Sequence, residues 1–238
     1  MTGGAVKRLI GMRAAVLMSS VLLAVVLVML AENPVRTYRF VPLGSVVQRI
    51  AVVSDSYTTG TNMGGNGRRG WTALAWGQLA QQGLPVNADV AAEGRAGYWQ
   101  RGDHGSVFAD LTDRAVRPED RLVVFFGSRN DQGADPFQLG GLAHDVYDRA
   151  HRTAPGARLL IVGPLWPTAD VPPAVLQIRD VLRMQAGFAG ADFIDPIAER
   201  WFVDAPGLIG SDGVHPTDAG HAYLAGRMAA LIKSQLAA

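Results

Sequence analysis

The sequence predicts an α/β fold, a three-layer α/β/α sandwich around a parallel five-stranded sheet. Three observations lead there. Five short apolar runs recur at residues 50–53, 86–92, 121–126, 158–162 and 192–194. Segments with apolar residues at helical spacing lie between them. Most of the runs end in a loop bearing glycine or proline. Strands that alternate with helices pair in parallel, and their crossovers place helices on both faces. No repeat of 20–50 residues is present.

The elements follow in order. Residues 50–53 are β-branched and end at Ser54-Asp55-Ser56, then run into a glycine-rich loop over 58–70. That loop superficially resembles a phosphate cradle but lacks the Gly-Lys-Ser/Thr ending of a P-loop. Residues 71–82 carry Trp71, Leu74, Ala75 and Leu79 on one helical face. The strand at 86–92 leads into Glu93-Gly94-Arg95-Ala96-Gly97-Tyr98. Residues 103–117 are helical in part. The run at 121–126 is apolar throughout, as a strand buried on both faces should be. It ends at Gly127-Ser128-Arg129-Asn130-Asp131. A helix over 138–153, closed by Ala154-Pro155-Gly156, precedes the strand at 158–162. A helix over 175–186, the short strand 192–194 and a loop over 207–216 follow. The last helix spans 217–236, with Leu224, Met228, Leu231 and Ile232 on its apolar face.

The N-terminus reads differently. Residues 14–31 hold no charge and follow Lys7, Arg8 and Arg13. An uncharged 18-residue run, apolar but for Ser19 and Ser20, after basic residues fits a signal anchor or signal peptide, with the remainder of the chain outside the cytoplasm. Met29 is a poor match to the small residue a cleavage after Ala31 would need, which favours an uncleaved transmembrane helix over a secreted product. Residues 32–45, with two prolines and mixed charges, form a linker. The remaining domain, 46–238, is long enough for one sizeable core.

Composition excludes several functions. The net charge of +1 gives no electrostatic case for nucleic acid. The absence of cysteine excludes disulfides, a thiol nucleophile and thiolate metal sites. Arginine outnumbers lysine 20 to 2, a composition bias rather than a chemical signal.

Chemistry concentrates in the loops after the strands, where open α/β sheets bind ligands. Ser56 is a hydroxyl just past the first strand. Asp212 stands three residues before His215, so a tight turn can bring the carboxylate to one imidazole nitrogen while the other faces a serine. A nucleophile, a base, a carboxylate that orients the base and donors for an oxyanion are the parts of an acyl-transfer site. Pro216 and Thr217 start the next helix and help to fix the turn. No Gly-x-Ser-x-Gly elbow occurs, which speaks against an α/β-hydrolase fold.

Ser54-Asp55-Ser56-Tyr57, Gly97, Gly127-Ser128-Arg129-Asn130-Asp131 and Asp212-Gly213-Val214-His215-Pro216 resemble the sequence blocks of SGNH hydrolases, the GDSL-type esterases and lipases. Order and spacing agree over about 160 residues. The resemblance implies a flavodoxin-like fold, no metal and no cofactor. It implies Ser56 as nucleophile, His215 as base and Asp212 as its partner. It also implies an oxyanion hole from the N–H of Ser56, the N–H of Gly97 and the side-chain amide of Asn130. Three positions depart from the family pattern. Ser54 replaces a glycine, Ala92 replaces an asparagine, and Arg129 is an extra residue before Asn130.

The other histidines, His104, His144, His151 and His221, read as solvated or helix-surface residues. Asp55 and Asp131 read as turn or loop braces. Tyr98, Trp99 and Trp166 could line a subsite or belong to the core. The expected activity is hydrolysis of a carboxylic ester, a small-molecule or extracytoplasmic glycan or lipid ester. An acyltransferase using the same acyl-enzyme and an inactive envelope-binding domain are the alternatives. The absence of a long apolar lid insertion favours short acyl chains.

Overall fold

The structure is a computed structural model and describes residues 46–237. The expected signal or transmembrane helix at 14–31 and the linker at 32–45 lie outside the described residues. Among those described, no helix is long and apolar enough to cross a membrane.

Five strands form one parallel sheet: β1 (Gln48–Ser54), β2 (Val86–Ala92), β3 (Leu122–Phe126), β4 (Arg158–Val162) and β5 (Asp192–Ile194), in the order β2-β1-β3-β4-β5. β3 is buried along its whole length, whereas the edge strand β2 is only half-buried. The helices are α1 (Ser56–Thr59), α2 (Trp71–Gln81), α3 (Phe108–Ala115), α4 (Pro136–Thr153), α5 (Pro173–Phe188) and α6 (Asp218–Ala237).

The pleat sends alternate strand residues to opposite faces. Ile50, Val52, Leu122 and Val124 face α2 and α6, where Trp71, Leu79, Leu224 and Met228 complete one core. Ala51, Val53, Val123 and Phe125 face α3, α4 and α5, with Phe108, Leu139, Tyr147 and Leu182. The sequence supplies the stops as well. Asp135 accepts from the N–H groups of Phe137 and Gln138, and Pro136 follows it, so α4 begins two residues earlier than its periodicity suggests.

One reading changes. Ser56 does not enter a loop directly but opens the four-residue helix α1, capped by Asp55, which accepts from the Tyr57 N–H at 3.0 Å. A single turn is too short to show as periodicity. The glycine-rich segment after it is no open cradle, because it is bound to the start of α6. The Gly65 N–H donates to Asp218 at 2.9 Å, and Arg69 pairs with the same carboxylate at 2.9 Å.

The strand order reverses direction between β1 and β3, and a crevice opens at their C-terminal ends. The loops that follow β1, β2 and β3 carry Ser56, Gly97 and Asn130.

Candidate active site

Ser56 sits just past the C-terminal end of β1, at the switch point between β1 and β3. Ser54, the last residue of β1, does not adopt the left-handed conformation that favours glycine. Its hydroxyl donates to the Phe126 carbonyl of the neighbouring strand at 2.9 Å and accepts from Thr58 at 2.7 Å. The indole of Trp71 donates in turn to Thr58 at 2.9 Å. The serine that replaces a glycine therefore ties β1, β3, α1 and α2 together immediately behind Ser56.

The Asp212–His215 turn comes from the opposite side. An antiparallel bridge between Ile209 and Pro216 closes it, and Gly213 takes φ 68° at its tip, a conformation open to glycine. Asp212 Oδ1 accepts from the backbone N–H groups of Val214 (2.9 Å) and His215 (3.0 Å), and Oδ2 meets His215 Nδ1 at 2.7 Å. His215 Nε2 lies 3.1 Å from Ser56 Oγ. The three residues form one hydrogen-bonded line. Partial burial acts to raise the Asp212 carboxyl, but the bonds from the His215 ring and from the two backbone N–H groups outweigh it and hold Asp212 down at about 2. Tyr57, next to the serine, joins the two halves by donating from its hydroxyl to the Val214 carbonyl at 2.7 Å.

The three groups expected to donate to an oxyanion are placed less simply. The Ser56 N–H belongs to the first residue of α1 and has no intrahelical acceptor. The Gly97 N–H donates to the Gln100 carbonyl at 2.9 Å. The Asn130 amide donates to the Ala96 carbonyl at 3.0 Å and to Asp55 Oδ2 at 3.3 Å. Asp131, adjacent to Asn130, gathers the N–H groups of Tyr98, Trp99 and Gln100 at 2.8–3.0 Å. A Cβ on residue 97 would stand 2.3 Å from that carboxylate, so only glycine fits. Burial raises both acids, Asp131 against its three N–H donors and Asp55 to about 7 against the Tyr57 N–H.

Beside the Asp212 turn runs an open cleft of about 590 Å³. Pro167 and Thr168 line it after β4, Phe202 and Ile209 after β5, and Gly210 and Gly213 on the turn itself. Trp166 borders the same loop, whereas Tyr98 is core, its hydroxyl 2.9 Å from that of Tyr147. Among the described residues no group of His, Cys, Asp and Glu side chains could hold a metal.

His221 needs correction. It is neither solvated nor on the surface of its helix but 1% exposed, and its Nδ1 accepts from the Trp71 N–H at 3.3 Å, at the start of α2. Burial lowers it to about 4, so it is neutral. The signal was available: residues 221, 224, 225 and 228 share one helical face, and all are buried. His151 is half-buried against the Ala189 carbonyl, and His104 and His144 are exposed. The tie from Tyr57 to Val214 had no signal in the sequence, because it spans 157 positions.

A parallel α/β sheet with a Ser-His-Asp line at its switch point defines a class of hydrolases, and the comparisons with known proteins agree. The model of the GDSL-like lipase/acylhydrolase family matches residues 55–223, and the chain belongs to that family. A GDSL lipase of Mycobacterium tuberculosis is 59% identical over 204 residues, 84% of this chain and 88% of that protein. Two solved structures share the fold at lower identity. TesA has a TM-score of 0.62 and 22% identity over 79% of this chain and all of that one. An acetyl xylan esterase has a TM-score of 0.63 and 17% identity over 77% of this chain and 99% of that one. The protein is thus a carboxylic ester hydrolase of the SGNH type.

Proposed function

We propose that the protein cleaves esters through an acyl-enzyme on Ser56. The observation that carries this is the continuous line Asp212–His215–Ser56, with separations of 2.7 and 3.1 Å. Ser56 Oγ attacks the ester carbonyl carbon while its proton passes to His215 Nε2. The imidazolium then gives that proton to the departing alcohol. Water attacks the acyl-serine in the second half, loses a proton to His215, and the proton returns to Ser56. A carboxyl held at about 2 stays ionised through this cycle, so Asp212 keeps the His215 Nδ1 proton in place and stabilises the cation that forms.

The tetrahedral oxyanion draws on the N–H of Ser56, the N–H of Gly97 and the amide of Asn130. The last two hold internal partners at rest. The longer Asn130 contact, 3.3 Å to Asp55, is the one that substrate exchanges most easily. Donor geometry of this kind tightens only in the reacting complex.

The substrate reading is a short acyl ester of an extracytoplasmic glycan or lipid. Its supports are the basic-then-apolar N-terminus, the missing lid insertion, the open cleft beside Asp212 and the likeness to an acetyl xylan esterase. Residues 14–31 would tether the domain to the membrane with the cleft outside. Two measurements test the proposal. A fluorophosphonate probe should label the wild type and not Ser56→Ala, and labelling that survives the substitution rejects the nucleophile. The full chain should fractionate with membranes and be digested by external protease. A soluble product beginning at Glu32 would show a cleaved signal instead.

A further inference from the structure

Arg129, the extra residue between Ser128 and Asn130, is a half-buried cation beside Asp55 and Tyr57 that makes no ion pair among the described residues. Several other half-buried arginines stand on carboxylates, Arg149 on Asp113 and Asp145, Arg179 on Asp180, Arg227 on Glu199, and half-buried Arg117 donates to the Asp113, Arg114 and Val116 carbonyls. Among the described residues, no carboxylate lies within ion-pair distance of Arg129, and its Nη1 is out of solvent with no hydrogen-bond partner. A buried guanidinium N–H left unpaired is costly. Arg49 and Arg149 also carry unbonded Nε atoms, but both of those residues hold ion pairs.

The guanidinium is fixed in place. It stacks on the Trp166 ring with 4.1 Å from Cζ to the centroid. The indole is held in turn, its Nε1 donating to Thr168 Oγ1 (3.1 Å) and to the Asp170 carbonyl (2.8 Å). Thr168 and Pro167 line the cleft beside the Asp212 turn. The backbone of Arg129 is equally constrained, because the next N–H, that of Asn130, donates to Ser128 Oγ at 3.0 Å. Arg129 is also near enough to Asp55 and Tyr57 for its charge to bear on both, and those two residues flank Ser56. Neither forms an ion pair with it. Asp55 already accepts from Tyr57 and Asn130.

We propose that Arg129, stacked on Trp166, is a specificity subsite for esters carrying an anionic oxygen group, a carboxylate or phosphate, within a few atoms of the scissile bond. A rigid guanidinium presents paired N–H donors that match such a group, and stacking engages its face rather than those donors. Trp166 contributes a flat wall that suits an acyl chain or a sugar ring. The proposal rests on the ester reading of Ser56.

Matched ester pairs test it. Monomethyl adipate against dimethyl adipate places the charge on the acyl side. Acetylated glucuronate against acetylated glucose places it on the alcohol side. In at least one pair the wild type should favour the anionic ester in kcat/KM. Arg129→Ala should lower that anionic-to-neutral ratio by about tenfold or more, and Arg129→Lys should recover part of it. The pair that responds tells which side of the ester bears the charge. Ratios unchanged by Arg129→Ala in both pairs overturn the proposal.

Binding separates this from the catalytic reading. Titration calorimetry of monomethyl adipate and of acetylated glucuronate into Ser56→Ala, with and without Arg129→Ala, reports the subsite whether or not the enzyme turns either ester over. Weaker binding of either ligand by about tenfold on removing Arg129 supports the subsite. Equal affinity of both variants for both ligands rejects it.

Discussion

The two halves of the site are built in opposite ways. The serine half is buried: Ser54 is 0% exposed, Asp55 and Asp131 are 1%, and Ser56 is 9%. Its polar atoms are tied into the ends of β1, β2 and β3. The histidine half is a surface turn, with the Asp212 and His215 side chains 33% and 26% exposed. Short-range bonds fix it: two backbone N–H groups on Asp212, the Ile209–Pro216 bridge with the Gly210 N–H on the His215 carbonyl at 2.8 Å, and the Gly213 N–H on the Gly210 carbonyl at 3.0 Å, with the Tyr57 hydroxyl on Val214 the tie to the other half. The buried half sets where the nucleophile is, and the exposed half is free to meet substrate and release product. Position is guaranteed on one side only, so the two halves should respond differently to mutation.

The largest effects are expected where the halves meet. His215→Ala should lower kcat by about 10⁴-fold or more, with the double variant lacking Ser56 as well little worse, since the two act as a unit. Asp212→Asn should fall short of the roughly 10⁴-fold loss known for a buried triad acid, because water reaches an exposed turn and can partly replace the carboxylate. Steady-state kinetics on a neutral ester decide this. Equal losses at both positions would mean that the turn is as closed as the serine half. Next comes Asn130→Ala. Removing one oxyanion donor costs on the order of 10²–10³ in kcat, with KM little changed. A near-wild-type Asn130→Ala would leave the Ser56 and Gly97 N–H groups to carry the oxyanion alone.

Tyr57→Phe sharpens the comparison further. It keeps the ring in the core and removes the hydroxyl that donates to Val214 and lies beside the Arg129 guanidinium. We expect roughly a tenfold fall in kcat with a fall in Tm of only about 2–4 °C, because one hydrogen bond contributes about 1 kcal/mol. A large loss of stability instead would mean that Tyr57 holds the buried half together and not the turn.

The same contrast explains what the sequence could reveal. The strands were legible because burial on both faces leaves short unbroken apolar runs, and the long helices because burial on one face leaves a helical period. Asp212 and His215 were legible because they are close in the chain and act within one turn. Ser54 is different. Read against a family glycine it suggests a strained turn, yet its backbone is ordinary and its hydroxyl does the joining. Contacts between distant loops, such as Tyr57 with Val214 or Asn130 with Ala96, leave no periodic trace. Neither does a one-turn helix such as α1. Arg129 was visible as an insertion, but the stacking that gives it a position depends on Trp166, which comes from another strand end.

The smallest expected effect on activity is at His221, in the buried region beneath the glycine-rich loop. It contacts no part of the Asp212–His215–Ser56 line, so His221→Gln should change kcat by less than about threefold. Its effect should appear in stability against pH. Burial lowers His221 to about 4 from an ordinary 6.5, so between those values the unfolded chain binds a proton that the folded one refuses. Stability from this group is therefore fully present above pH 6.5 and is lost as pH falls toward 4. The loss amounts to about 3 kcal/mol at most. Asp55 works in the opposite sense over nearly the same range. Its raised value of about 7 makes the folded state hold the proton longer, so it favours folding at low pH and disfavours it as pH rises. The wild-type curve mixes the two, and only the difference between wild type and His221→Gln isolates the histidine. Urea unfolding at pH 4, 5, 6 and 7 should show that difference shrinking toward acid, and a difference constant across the range would mean that His221 is not the neutral cap of α2.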